Sequence, residues 1–190
     1  VKTPPPDLAG RLLDVSEQVL RTDPPLRLED VARLVGASRA TLYYYFSGRE
    51  DLLGFLLTAH ARAGAEAVRA ATDPADPPER RLRATVAALV DYLGHHPGTC
   101  AGLLGALGGT GRMSEVLQAN DVWIAGPLRE LLAEVGKAGA FALDDVADAA
   151  NAVLGALLLG VLGRSMSGSD PTDPAFREQL TNQTVRGLLR

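Results

Sequence analysis

Between Leu28 and Phe46 two short apolar stripes flank the punctuation Val35-Gly36-Ala37-Ser38, and this leaves few folds open. Leu28, Val31, Ala32 and Val35 repeat at the three-four spacing of a two-turn helix. Gly36 suits the left-handed conformation that ends a helix, and Ser38 can cap the next one. The spacing predicts that next helix over about 39–45, with Leu42 and Phe46 turned into a small core. Ala40 and Tyr44 then face the opposite way, with Thr41 and Tyr43 beside them, so hydroxyl groups crowd the outer surface. Two helices joined by so tight a turn form a helix-turn-helix, whose second helix fits the major groove of DNA, about 12 Å wide.

The rest of the chain reads as helix. Sustained period-2 alternation and hairpin signals are missing, and three-four apolar spacing recurs throughout, so the fold class is all-α. A first helix is expected over about 7–21, ended by Thr22-Asp23-Pro24-Pro25. Ser47-Gly48-Arg49-Glu50 reads as a capping box opening a long helix to about residue 71. The break Thr72 to Pro78 marks a boundary, with Asp76 and Glu79 capping a fifth helix through Leu93. The glycine-rich stretch 97–111 reads as a broken helix plus loop, and a helix over 113–136 is expected to kink at Pro127. Asp144 is expected to open an apolar helix to about 165, and Asp173-Pro174 to start the last, 174–189. The expected organisation is a helix-turn-helix domain over 1–60, the fourth helix as connector to about 71, and a larger helical domain over 72–190.

Composition narrows the function. Net charge is −4, and the first 60 residues carry seven basic and eight acidic side chains, so any DNA surface must arise from placement of charge. A single cysteine, Cys100, allows no intrachain disulfide, and no signal-peptide pattern opens the chain, so the expected location is cytoplasmic. The most apolar uninterrupted run, Ala149 to Gly163, has 15 residues, short of the roughly 20 a membrane span needs, and is expected to be a core or interface helix with no membrane partner.

The stretch Leu28 to Leu53, LEDVARLVGASRATLYYYFSGREDLL, closely resembles the tetracycline-repressor (TetR) family of bacterial transcription regulators. It carries the Val-Ala pair, the glycine turn, Thr-Leu-Tyr, a closing Phe, and a basic residue before Glu-x-Leu-Leu. The resemblance implies that Arg39, Ala40 and Tyr44 face base edges, that Thr41, Tyr43 and Tyr45 meet phosphates or sugars, and that Arg49 grips a phosphate where the family usually has lysine. Arg27 stands where a Thr or Ser usually caps the second helix. Its charge can replace the phosphate contact, but the helix is expected to lose a cap worth about 1 kcal/mol.

Other motifs yield less. Gly102 to Arg112 lacks the Lys-Ser/Thr or preceding strand of a phosphate loop. His95 and His96 are adjacent and point apart, so they are poor joint metal ligands with Cys100; no metal or cofactor is expected. Catalysis is not expected either, since no nucleophile-elbow motif is present. The family resemblance implies an apolar ligand site in the C-terminal half, for which Tyr92, Leu104, Met113, Leu117, Asn120 and Trp123 are the candidates, although each is also a natural core residue. Leu154, Leu157, Leu158 and Val161, with Phe176, Leu180 and Leu188, stripe the last two helices and are the candidate dimer interface, as in the family's four-helix arrangement. The combined reading is a homodimeric repressor that leaves a palindromic DNA operator when a small apolar effector binds. Two rivals stay open: a ligand-independent DNA-binding module, and a helical enzyme with a DNA anchor.

Overall fold

The computed structural model describes residues 2–21, 25–107, 113–139 and 145–188. Among them every regular element is helical: α1 (Pro6–Asp14), α2 (Ser16–Arg21), α3 (Leu28–Leu34), α4 (Arg39–Tyr45), α5 (Arg49–Ala71), α6 (Pro78–His95), α7 (Pro97–Leu107), α8 (Met113–Asn120), a π-helical turn (Asp121–Ala125), α9 (Gly126–Lys137), α10 (Val146–Met166) and α11 (Pro174–Arg186). The all-α expectation holds, and α3 and α4 form where the apolar spacing put them.

Several boundaries differ for identifiable reasons. The first helix is broken at Val15, where the Ser16 hydroxyl donates to the Leu13 carbonyl at 2.6 Å and competes with the helical ladder. The cap of α5 is shifted by one residue. Gly48 is the N-cap, and the carboxylate reaching back to the Ser47 backbone N–H, at 2.9 Å, belongs to Asp51 rather than Glu50. Helix α6 starts at Pro78 without a side-chain cap from Asp76, since proline is preorganised for the first turn. The expected kink at Pro127 is a π-helical turn just before it, and Pro127 itself is the second residue of α9. Asp145 caps α10 by accepting from the N–H groups of Ala147 and Asp148; Asp144 lies outside the described residues.

Two cores form. Leu8, Leu12, Val19, Val31, Leu42, Phe46, Leu52 and their neighbours unite α1 and α2 with α3, α4 and the start of α5. A larger one joins α6, α9, α10 and α11 around Leu82, Val86, Leu132, Leu157 and Val161. Between them α2 lies along α7, and Leu20 meets Leu57 and Val116 in a small third cluster. Glycines make that approach possible. A Cβ on Gly98 would collide with the Glu17 carboxylate, and one on Gly102 would lie 2.7 Å from Leu20.

Helix α10 corrects the expectation that its apolar run is too short to span. The helix extends beyond that run to 21 residues and is long and apolar enough, by length and composition, to cross a membrane. Ala150, Val153, Leu157 and Val161 are buried against the larger core, while Ala152, Ala156, Leu159, Gly163 and Met166 lie exposed on another face.

Candidate DNA interface and effector cavity

The surface presented by α4 is built from its anchors outward. Leu42 and Phe46 are fully buried, which fixes the helix in rotation. The turn before it is held three ways: Gly36 adopts φ 63°, the Ala37 N–H reaches the Ala32 carbonyl at 2.9 Å, and an Arg11 guanidinium N–H donates to the Val35 carbonyl at 2.5 Å. Ser38 caps α4, its hydroxyl oxygen accepting from the Thr41 N–H at 3.0 Å. Arg39, Ala40, Tyr43 and Tyr44 are left exposed on one rigid surface.

The individual side chains are less free than their exposure suggests. The Tyr43 hydroxyl donates to Glu29 Oε1 at 3.0 Å, and the same oxygen lies 3.3 Å from the Arg39 guanidinium. Arg39 also stacks over the Tyr43 ring at 5.2 Å. The carboxyl of Glu29 is held below the usual carboxylate range by its own backbone N–H and then by Tyr43. Lys2 extends its ammonium over the Tyr44 ring at 3.6 Å, bringing an N-terminal cation to this face, and Tyr45 meets Tyr44 edge-on. The Thr41 hydroxyl lies 2.8 Å from that of Ser38. Arg49 is partly buried, with its Nε unpartnered. Arg27 is exposed and contacts Asp30 at 3.5 Å; the expected loss at this cap is partial, because the Asp30 carboxylate accepts from the Arg27 backbone N–H at 3.2 Å.

A cavity of about 140 Å³ opens beneath this unit, enclosed by α5, α6, α7, α8 and α10. Tyr92, Leu104, Leu117 and Asn120 line it as expected, whereas Trp123 lines a separate, more open pocket with Arg69 and Arg81. The π-helical turn separates them: it sends Ile124 toward the first cavity and Trp123 only toward the second. The Met113 side chain lies outside the described residues. Among the wall residues that sequence reasoning missed are two polar ones, His60 and Thr99. His60 had a readable signal, since it continues the stripe Leu52, Leu56 on α5 and is a polar residue at a core position.

His60 organises a chain of hydrogen bonds. The Ser16 hydroxyl donates to Leu13, so it accepts from His60 Nε2–H at 2.9 Å, and His60 Nδ1 in turn accepts from the Tyr92 hydroxyl at 2.7 Å. This fixes the neutral tautomer. Burial, with the nearby His96, pushes the His60 pKa down to about 4. A second link runs parallel: the Glu17 carboxylate accepts from the Gly98 N–H, at 2.6 and 2.7 Å, and so binds α2 to the first turn of α7.

At the expected dimer face Leu157 and Val161 are fully buried within the protomer and Leu180 nearly so, which corrects the expectation for these three, because α6, α9 and α11 cover that side of α10; Leu154, Leu158, Phe176 and Leu188 stay partly exposed beside the same core. The open face is the stripe ending in Leu159 and Met166, which are 60% and 78% exposed. Among the described residues no three His, Cys, Asp or Glu side chains gather as a metal site.

Comparison with known proteins agrees with this geometry. Residues 12–54 match the family model described as bacterial regulatory proteins, tetR family. An uncharacterized HTH-type transcriptional regulator of Mycobacterium tuberculosis is 35% identical over 77 residues, which is 39% of this chain and 38% of that protein's length. Among solved structures, the fatty acid degradation regulator FadR of Bacillus halodurans superposes over 100% of both chains, with a TM-score of 0.76 and 21% identity. The TetR family transcriptional regulator PfmR of Thermus thermophilus also covers 100% of both, at TM-score 0.70 and 23% identity. The ketosteroid transcriptional regulator KstR2 of M. tuberculosis covers 96% of this chain and 95% of its own, at TM-score 0.68 and 20% identity. At these identities the solved structures speak to the fold; the curated relative is named a transcriptional regulator.

Proposed function

We propose that the chain, whose residues 12–54 match the family model of bacterial regulatory proteins, tetR family, is a homodimeric repressor released from a palindromic operator by a small effector. The observation that carries the reading is α4: a helix anchored by buried Leu42 and Phe46 that displays Arg39, Ala40, Tyr43 and Tyr44 on an otherwise acidic protein. In this reading residues 1–60 bind DNA, the helix to about 71 connects, and 72–190 bind the effector and dimerise. Arg39, Ala40 and Tyr44 read bases; Thr41, Tyr43, Tyr45, Arg27 and Arg49 hold the backbone. Two copies of α4 related by a two-fold axis read successive major grooves, about 34–36 Å apart or with wider half-site spacing.

Dimerisation uses the open stripe of α10, whose small residues permit close approach of a second copy's helix. The effector occupies the cavity beside Tyr92, Leu104, Leu117 and Asn120. It displaces α7 and α5, and the Glu17 and Ser16 links pass that displacement to α2 and the recognition unit. The coupling is bounded by the effector's preference for the released over the bound state.

The test is selection of bound sequences from a randomised duplex pool by the purified protein, with Tyr43→Ala as control. A palindromic consensus that the variant no longer enriches supports the reading; absence of enrichment at low salt, where phosphate contacts are strongest, counts against it.

A further inference from the structure

The arm that precedes α1 is fixed at both ends. Pro4, Pro5 and Pro6 run consecutively, and a proline ring presets an extended backbone, which Pro5 adopts at φ −63° and ψ 157°. Pro4 is buried, and α1 beyond it is anchored by Leu8 and Leu12 in the recognition core and by Arg11 at the Val35 carbonyl. At the other end the Lys2 ammonium lies 3.6 Å from the centroid of the Tyr44 ring. That ring is itself braced, since it meets Tyr45 edge-on at 5.0 Å and Tyr45 packs against the recognition core. A lysine remote from α4 in sequence is thereby seated on its outer face.

The charge of Lys2 is not spent there. A ring face attracts a cation but carries no net charge. Among the described residues no carboxylate pairs with Lys2, whereas Arg39 shares Glu29 with Tyr43, and Arg27 and Arg33 both pair with Asp30. Tyr44 is 59% exposed, so the ammonium sits at the accessible side of α4 and not in a crevice. A helix about 10–12 Å across fills a groove about 12 Å wide, and a cation resting on its outer face then lies close to the phosphates that wall the groove. The ammonium suits such a partner, being a point charge with no rigid fork to match a base edge. Because the prolines hold the arm extended before binding, little chain entropy is lost when the contact forms.

We infer that Lys2, held over Tyr44 by the proline arm, is a further DNA contact and neutralises a backbone phosphate beside the groove that α4 enters. The inference rests on the reading of α4 as the helix that meets DNA.

Anisotropy titrations of the full chain with a duplex of random sequence, at several salt concentrations, test it on the wild type, Lys2→Gln and Lys2→Arg. Lys2→Gln is expected to make the log-log salt dependence shallower by about one unit and to weaken binding by up to about tenfold near 0.1 M salt, since one phosphate fewer is neutralised. Lys2→Arg keeps the charge and is expected to retain the wild-type slope. The order of preference among single-base variants of the selected site should stay the same in both, because a phosphate contact carries no sequence information. A slope unaltered by Lys2→Gln overturns the inference and leaves α4 as the DNA surface. Tighter binding by Lys2→Gln overturns it too, and makes Lys2 a cover that DNA must displace from Tyr44. A wild type that binds no duplex at low salt removes the DNA reading and the inference with it.

Discussion

Glu29 and Tyr43 are joined across the helix-turn-helix by a 3.0 Å hydrogen bond, and the carboxylate oxygen that accepts it also pairs with Arg39. One carboxylate thus occupies two of the donors on the exposed face of α4. Replacing it should release them. Glu29→Gln is expected to raise affinity for non-specific duplex several-fold and to steepen the log-log salt dependence by about one unit, as a negative charge beside Tyr43 no longer opposes the phosphates. Anisotropy titrations at several salt concentrations read both quantities; an unchanged slope counts against the idea.

Arg39 and Tyr43 should separate base reading from backbone holding. Arg39→Ala is expected to cost about 1–3 kcal/mol on the preferred site and to relax preference at one base pair. Tyr43→Ala should weaken all sequences alike. Competition assays with single-base operator variants distinguish them, and an equal loss of preference in both variants refutes the division.

The buried His60 predicts a pH dependence whose sign follows from its direction of shift. Folding depresses its pKa from 6.5 to about 4, so between those values the unfolded chain takes up a proton that the folded chain refuses. Its contribution is therefore complete above about pH 6.5 and is lost as pH falls toward 4. The loss is of order 2 kcal/mol, allowing for partial solvent screening. Urea unfolding of the wild type and of His60→Gln at pH 7 and 4.5 isolates it; equal pH sensitivity of the two proteins excludes the assignment.

Glu17 behaves in the opposite sense. Its pKa is raised, burial outweighing the Gly98 bond, so its charged form is disfavoured in the fold and its contribution improves as pH falls through that raised value. Glu17→Ala should change stability by less than about 1 kcal/mol at pH 7, since lost capping and relieved burial offset each other. It should nevertheless reduce the effector's influence on operator affinity. The ratio of affinities without and with effector measures this, and an unaltered ratio shows that the link carries no signal.

The open stripe of α10 predicts the oligomer. Leu159→Glu puts a charge at its centre and is expected to yield a monomer with unchanged helicity and operator affinity lower by roughly 100-fold, since two tethered contacts become one. Light scattering and anisotropy together test this; a variant that stays dimeric excludes the face.

Much of this was legible in the sequence because local rules agreed. Gly36, Ser38 and the Leu42–Phe46 spacing specify the helix-turn-helix within twenty residues, and the structure places each where propensity and capping require. Four of six cavity candidates line the cavity for a similar reason: large apolar and amide side chains on the inner faces of α6 to α8 have nowhere else to go. What escaped depends on chain segments far apart. Glu29 meets Arg39 through the angle between α3 and α4, and Ser16 meets His60 across 44 positions. Leu157 and Val161 looked like interface because an apolar helix reads alike whether its own chain or another covers it.

The break at Val15 has a consequence for how such proteins exchange parts. Helix α1 belongs to the recognition unit through Leu8 and Leu12, while α2, joined to it by a single residue, faces both ways: Val19 is buried in the recognition core, and Ser16 and Glu17 reach His60 and Gly98. In a chimera assembled from two relatives, Ser16 and Glu17 must match the donor of the effector half while Val19 must match the donor of the recognition unit. A cut at the Thr72 to Pro78 break would separate the two surfaces that grew to fit each other, and the hybrid would fold around a deaf seam.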